Sequence, residues 1–139
     1  MIQAVIGLKG SGKTKRMIDM ANDALKVEHG NIVFIDDDKR YMYDLRHEIR
    51  FVDITEYIAK EDRSVETFLA FVGGMLATDY DVTLICVDAF RRLVNTDWAD
   101  MEELFNRLNT LSEAHNCTFL LSLSADPADL PEFITKYAI

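Results

Sequence analysis

The sequence predicts an α/β fold with three layers, in which helices cover both faces of a mainly parallel five-stranded sheet. One observation is that five short apolar runs alternate with longer segments whose apolar residues recur at helical spacing. The other is that the runs are almost wholly apolar, as in strands buried on both faces. The chain has 139 residues and no internal repeat or composition shift. A single domain over 1–139 is therefore expected.

The five apolar runs are the predicted strands. They lie at 2–6, 32–35, 49–54, 82–87 and 118–123. The first helix is expected to run from Lys13 to about Glu28, because its apolar residues recur every three or four positions, and Gly30 then stops it. The second helix begins near Ser64 with the same periodicity. A strand–helix–strand succession favours parallel strands joined by right-handed crossovers.

The second half of the chain adds two helices and an apolar tail. Gly73 and Gly74 lie inside the second helix and either permit close packing or mark a break. A third helix is expected from about Thr96, and a short last helix over 128–137. The tail 133–139 is apolar, and it is expected to dock on the chain's own sheet or on a neighbouring molecule.

A glycine-rich segment follows the first predicted strand directly. It reads G-L-K-G-S-G-K-T and fits the pattern G-x-x-x-x-G-K-[ST]. In such a loop the backbone N–H groups form an anion cradle at the N-terminus of a helix. The lysine can reach the β- and γ-phosphates of a nucleotide, and the last hydroxyl can coordinate Mg²⁺. The predicted phosphate-binding residues are Gly7, Lys9, Gly10, Ser11, Gly12, Lys13 and Thr14.

With this loop set between a strand and a helix, the sequence resembles P-loop NTPases of the RecA-like type. The resemblance implies the three-layer P-loop NTPase fold, a Walker A motif at 7–14 and a Walker B acid after a hydrophobic strand. The stretch L-I-C-V-D at 84–88 is the candidate Walker B motif, so Asp88 would hold Mg²⁺ opposite Thr14. Lys13 and Asp88 are the candidate catalytic residues, and Thr14 and Asp88 are the candidate metal ligands. ATP is expected rather than GTP, because the guanine-binding string N-K-x-D is absent.

Hydrolysis also needs a residue that orients the attacking water. Many P-loop ATPases carry glutamate directly after the Walker B acid, but this chain has Ala89 there. An acid at the end of a neighbouring strand can serve instead, and a turn of solvated acids is the alternative meaning of such residues. The candidates by position are Asp36, Asp37, Asp53 and Glu56. Slow hydrolysis is therefore expected.

Other polar residues follow the last two predicted strands. Ser122 and Ser124 end the fifth strand, where a hydroxyl either senses the γ-phosphate or bonds to nearby backbone. Arg91 and Arg92 follow Asp88 closely. They either form surface ion pairs or stabilise transition-state charge, in their own site or in that of a neighbouring subunit.

Two narrower resemblances rest on shorter stretches. The segment D-K-R-Y at 38–41 resembles the D-x-R-Y region of type II thymidine kinases, but the zinc-binding cysteines and the lid of that family have no counterpart here. The opening M-I-Q-A-V-I-G-L-K-G-S-G-K-T and the S-A-D-P at 124–127 resemble small clostridial-type bacterial ATP-binding proteins that are often labelled PilT-like. The acidic and histidine boxes of PilT motors are missing, so this resemblance implies the nucleotide site alone.

Composition excludes some function classes. The net charge of -9 disfavours nucleic-acid binding through a broad basic surface and argues against affinity for an anionic membrane. No signal peptide is visible, and no apolar stretch reaches the ~18 residues that a membrane-spanning helix needs. A cytoplasmic location is therefore expected. Cys86 and Cys117 lie in apolar runs without metal-ligand spacing, which predicts buried structural thiols.

Together these patterns predict a protein that binds Mg-ATP and hydrolyses it slowly. The first alternative is a nucleotide-dependent switch module without useful turnover. Its loops at 36–43 and 88–95 would change shape and recruit a protein partner or a second copy. The second alternative is a small-molecule kinase of the nucleoside type.

Overall fold

The computed structural model describes the whole chain, from Met1 to Ile139. Its strands are β1 (Ile2–Gly7), β2 (Asn31–Asp36), β3 (Arg50–Asp53), β4 (Val82–Val87) and β5 (Thr118–Ser124). Its α-helices are α1 (Lys13–Ala24), α2 (Val65–Thr78), α3 (Phe90–Val94), α4 (Glu102–His115) and α5 (Glu132–Thr135). None of these helices is both long enough and apolar enough to cross a bilayer.

The strands form one five-stranded sheet in the order β1-β5-β4-β2-β3, and every neighbouring pair is parallel. The predicted α/β class and the five strands are therefore confirmed, and the sheet is wholly rather than mainly parallel. Because all strands run in the same direction, their carboxyl ends meet at one edge of the sheet, where α/β proteins commonly bind ligands. The loops after β1, β2, β4 and β5 gather there.

Two apolar cores lie on opposite faces of the sheet and produce three layers. Successive side chains of a strand point to opposite faces, so Ile32 and Phe34 enter one core, and Val33 and Ile35 enter the other. The first core is closed by α1, which contributes Met17 and its neighbours. The larger core is closed by α2, α3, α4 and α5. The alternation explains why the strands read as continuous apolar runs.

Two predicted helix boundaries were wrong. The first helix ends at Ala24 rather than near Glu28, because the N–H groups of residues 25–27 donate to carbonyl oxygens three positions earlier and tighten the last turn. The helix expected from Thr96 begins only at Glu102. The segment before it forms α3, which ends at the left-handed Asn95 with φ 47°.

The last predicted helix is divided. A 3₁₀ turn covers Pro127–Asp129, and α5 begins after Pro131. Leu130 is extended, with ψ 143°, because a residue that precedes proline avoids the helical conformation. By contrast, α2 runs without a break through Gly73 and Gly74, and a Cβ at either glycine would meet nothing within 4 Å. These glycines therefore neither break the helix nor permit a close contact.

The apolar tail docks on the chain's own sheet, the first of the two predicted arrangements. The Ala4 N–H donates to the Tyr137 carbonyl at 2.9 Å, and the Ile139 N–H donates to the Ala4 carbonyl at 3.0 Å. The Tyr137 ring stacks on Phe105 of α4, with 5.7 Å between the ring centroids. These contacts cover part of the exposed edge of β1, which protects it from pairing with other chains.

Candidate functional site

The glycine-rich loop lies at the carboxyl edge of the sheet, between β1 and α1. Gly10 and Gly12 have φ values of 83° and 85°, which glycine adopts without strain. A Cβ on Gly7 would lie 2.6 Å from Ser11 Oγ, so the loop closes tightly over that position. Gly12 immediately precedes α1, whose first N–H groups have no helical partners. The loop therefore has the backbone geometry of an anion cradle.

Asp88 connects this loop to the middle of the sheet. The Thr14 hydroxyl donates to Asp88 Oδ2 at 2.8 Å, across 74 positions of sequence. The second carboxylate oxygen accepts from the Ser122 hydroxyl at 2.5 Å and from the Ala89 N–H at 3.0 Å. Asp88 itself is buried. Groups from the ends of β4 and β5 and from the first turn of α1 thus fix the orientation of one carboxylate.

Lys13 lies across the loop. Its Nζ donates to the Leu8 carbonyl at 3.0 Å. Burial lowers the pKa of Lys13, and the negative charge of Asp88 partly opposes this effect. The charge of Asp88 therefore acts on the Lys13 ammonium group, and the two residues line one cleft.

Asp36 is the acid next to Asp88 at this edge. It ends β2, which pairs with β4, and the Asp88 N–H donates to the carbonyl of Ile35 at 2.9 Å. Only 3% of Asp36 is exposed. Burial, and then the charge of Asp88, raise the pKa of Asp36 to about 8. The Asp37 N–H donates to Asp36 Oδ1 at 2.7 Å and opposes the shift. Asp36 is thus a carboxyl group that titrates near neutral pH.

The raised pKa of Asp36 predicts a specific pH dependence of stability in the metal-free protein. The folded state binds this proton more tightly than the unfolded state, so the group's contribution to stability is lost as the pH rises from 3.8 to about 8. Asp36→Asn keeps the shape and removes the titration. From about pH 5 to about pH 8, the free energy of unfolding of the variant should rise by about 1 kcal/mol or more relative to that of wild type. The reason is that a shift of one pKa unit corresponds to about 1.4 kcal/mol.

Urea unfolding in EDTA at several pH values would measure this difference. A difference between wild type and Asp36→Asn that stays constant across the range would contradict the assignment of the raised pKa to Asp36. Asp53→Asn is the matched control, because Asp53 ends the next strand and is 9% exposed, yet it lies outside the cleft.

Asp37 joins two arginines from different elements. Arg92 of α3 binds it at two points, with Nε 2.9 Å from Oδ2 and Nη2 3.1 Å from Oδ1. Arg63, in the loop before α2, places Nη1 3.6 Å from Oδ2. Burial opposes the ionisation of Asp37, but Arg92 and then Arg63 lower its pKa below the usual value. The Arg63 side chain is only 7% exposed, and its Nε has no hydrogen-bond partner.

The acids at 36–38 bring carboxylate oxygens within 4.8 Å of one another, a spacing at which a metal ion could be held. Each acid already has a partner, however. Asp36 accepts from the Asp37 N–H, Asp37 binds Arg92, and Asp38 accepts from the Arg40 N–H. These partners account for the arrangement without a cation.

Two clefts open at this edge of the sheet. The first has a volume of about 450 Å³ and is lined by the loop together with Thr14, Asp36, Asp88 and Arg92. The second, of about 730 Å³, is lined by residues of α2, α3 and α4 and by the segment between α3 and α4. Arg92 and Ser124 line both clefts. The first cleft falls within the size range of small-molecule sites, roughly 300–1,000 Å³.

The other predicted site residues lie away from the first cleft or have other partners. Glu56 is paired with Lys39 at 2.5 Å on the surface. Asp53 accepts from the Thr55 N–H at 3.0 Å and so caps its own turn. Arg91 is paired with Asp97 at 2.9 Å and lines only the second cleft. Of the four predicted water-orienting acids, the structure places only Asp36 on the wall of the first cleft.

Sequence reasoning missed Arg63. A charged residue in a polar loop is normally exposed, and no periodic pattern marks this one as buried. The buried state of both cysteines was predicted, and both are free thiols. Burial raises the pKa of the Cys86 and Cys117 thiols, that of Cys117 to about 12, so both stay protonated at neutral pH.

No protein-family model matches the chain, and no curated protein matches it in sequence. The fold and the site define an α/β protein with an anion-cradle loop, a hydroxyl, two carboxylates and a lysine at one edge of a parallel sheet. The oxygen donors of Thr14 and Asp88 suit Mg²⁺, which binds few protein carboxylates and completes its shell with phosphate and water oxygens.

Proposed function

We propose that the protein binds Mg-ATP and hydrolyses it slowly. The hydrogen bond of 2.8 Å between Thr14 and Asp88 is the observation that carries this proposal. In this reading the loop 7–14 is a Walker A motif and Asp88 is the Walker B acid. Two motifs far apart in sequence meet where a nucleotide-bound Mg²⁺ needs a hydroxyl and a carboxylate.

The residues have separate roles in this proposal. The loop N–H groups and Lys13 bind the phosphates, and Thr14 and Asp88 hold Mg²⁺, which neutralises charge that develops during phosphoryl transfer. Ser122 and the Ala89 N–H keep Asp88 in place.

Asp36 is the proposed water-orienting acid. It lines the cleft, and it ends β2 directly beside β4 and Asp88. Burial is the largest cause of its raised pKa, and a raised pKa makes its carboxylate a stronger base. The proton that the attacking water loses passes to the Asp36 carboxylate. Ala89, instead of a glutamate, directly follows Asp88, and this favours slow turnover.

A small-molecule kinase is the second candidate, because a second cleft of about 730 Å³ adjoins the first one at Arg92 and Ser124. An acceptor bound there would lie beside the γ-phosphate. A protein partner, a second copy in the assembly, a cytoplasmic location and the preference for ATP stay predictions.

The test of the proposed function combines ATP affinity with single-turnover hydrolysis, each with and without Mg²⁺. Wild type and Thr14→Ser, which keeps the hydroxyl, should bind ATP more tightly with Mg²⁺. Thr14→Val has nearly the same shape without the hydroxyl, and it should lose about tenfold of that Mg²⁺ effect. Failure of wild type to bind ATP, or an unchanged Mg²⁺ effect in Thr14→Val, would overturn the assignment. ADP release stimulated by a nucleoside or a small alcohol would select the kinase.

A further inference from the structure

Arg92 occupies the boundary between the two clefts. Its side chain is 62% exposed, yet it is held at two points by Asp37, whose side chain is 13% exposed. The residue lines the first cleft together with Lys13, Thr14 and Asp88, the residues to which the proposed function assigns phosphate and metal. An exposed guanidinium group on the wall of this cleft is therefore held by an anion of the protein itself.

We propose that Arg92 distinguishes ATP from ADP by binding the γ-phosphate, and that Asp37 holds it away until ATP is bound. The inference rests on the proposed function, because it needs a nucleotide in the first cleft. A guanidinium group binds carboxylate and phosphate oxygens with the same two-point geometry. Asp37 thus occupies the donors that the γ-phosphate would use. ADP has no phosphate at that position and leaves the ion pair intact.

Arg63 makes the exchange feasible. If Arg92 leaves Asp37, a carboxylate in a mostly buried position still has a second guanidinium beside it, at 3.6 Å. The Arg63 Nε has no partner in the present arrangement, and a buried N–H without a partner is unfavourable. A shift of Asp37 toward Arg63 would shorten the approach to this buried guanidinium group, which is now 3.6 Å from Oδ2 through Nη1. In the ATP state Asp37 would then pair with Arg63 alone, and the γ-phosphate would select that arrangement over the observed one.

The exchange requires a movement of the Arg92 side chain only, because Phe90, Leu93 and Val94 hold α3 in the larger core. The helix α3 has only 5 residues, and it is flanked by Ala89 and Asn95, both in the left-handed conformation, with φ values of 55° and 47°. It is therefore not continuous with another helix at either end. Because Arg92 also lines the second cleft, its transfer to the γ-phosphate changes the wall of that cleft in the ATP state only.

The experiment measures the dissociation constants of Mg-ATP and Mg-ADP for wild type and for variants at Arg92, Asp37 and Arg91, by displacement of a fluorescent ADP analogue. Arg92→Ala should weaken ATP binding about tenfold and leave ADP binding within about twofold, because it removes a charge-assisted contact that only ATP makes. Asp37→Asn should strengthen ATP binding about threefold or more, because the competing carboxylate charge is gone. Arg91→Ala is the matched control and should resemble wild type, since Arg91 pairs with Asp97 outside the first cleft.

Equal losses of ATP and ADP affinity in Arg92→Ala would overturn the γ-phosphate contact. Unchanged or weaker ATP binding in Asp37→Asn would overturn the competition by Asp37, provided that circular dichroism shows the variant folded. Arg92→Lys tests the same contact in a second way, because lysine keeps the charge but loses the two-point geometry. Its affinity for Mg-ATP should lie between those of wild type and Arg92→Ala. If wild type binds ATP in a Thr14-dependent way but Arg92→Ala keeps the ATP to ADP ratio, this inference fails alone. If wild type binds neither nucleotide, the proposed function fails with it.

Discussion

Lys13→Ala is expected to weaken Mg-ATP binding about 100-fold or more and to leave the fold intact. Removing one partner of a desolvated charge pair costs about 2–5 kcal/mol, and each tenfold in affinity corresponds to about 1.4 kcal/mol. The fold should survive, because the only hydrogen bond of the Lys13 side chain goes to the Leu8 carbonyl within the same loop. Isothermal titration calorimetry would measure the affinity, and thermal unfolding would check the fold.

Lys26→Ala is the control for that substitution. Lys26 lies beyond the opposite end of α1 and pairs with Asp23 at 3.6 Å on the surface. Lys26→Ala removes the same charge from the protein, but at the end of α1 that is far from the glycine-rich loop. ATP should therefore bind to this variant as it binds to wild type. Equal affinities of Lys13→Ala and wild type would refute the phosphate site.

Asp36→Asn is expected to lower the single-turnover rate of ATP hydrolysis about 100-fold or more, while ATP binds nearly as tightly as before. A positioned general base typically contributes about 10²–10⁴-fold to a rate. The amide keeps the size of the side chain but accepts no proton from water. The measurement is ADP formation with the protein in excess over ATP.

Asp53, at the end of β3, provides the control for the rate of ATP hydrolysis. Asp53→Asn makes the same chemical change in a side chain that bonds only to Thr55, and hydrolysis should continue at the wild-type rate. An Asp36→Asn variant that hydrolyses ATP as fast as wild type would exclude Asp36 as the water-orienting acid. Tight binding with no turnover in any variant, wild type included, would favour the switch module.

The strands were predictable because a strand that is buried on both faces has a continuous run of apolar residues in the sequence. All five predicted runs overlap an observed strand, and every bound agrees within one residue. The helix ends were less predictable, since they depend on local hydrogen bonding that periodicity does not encode. The turn after Ala24 and the 3₁₀ turn Trp98–Asp100 before α4 are examples, and both shortened a helix relative to its prediction.

The site also contains residues that could be predicted from the sequence and residues that could not. The loop 7–14 and Asp88 could be recognised because their chemistry depends on residue types at short, fixed spacing. The choice of Asp36 among the acids could not be made, because it depends on the strand order, which places β2 directly beside β4. The burial of Arg63 depends on how the loop before α2 folds over Asp37, and that contact joins residues 26 positions apart.

The position of β5 has a consequence for the precision of the site. In the sheet β1 and β4 do not touch, because β5 lies between them and separates their axes by about 10 Å. The contact between Thr14 of the loop and Asp88 therefore spans the end of an intervening strand. Ser122, at the end of that strand, sets the spacing through its bond to Asp88. A slip of β5 by one residue would turn Ser122 to the opposite face. The position of the glycine-rich loop relative to Asp88 therefore depends on the pairing register of β5, a strand that belongs to neither motif.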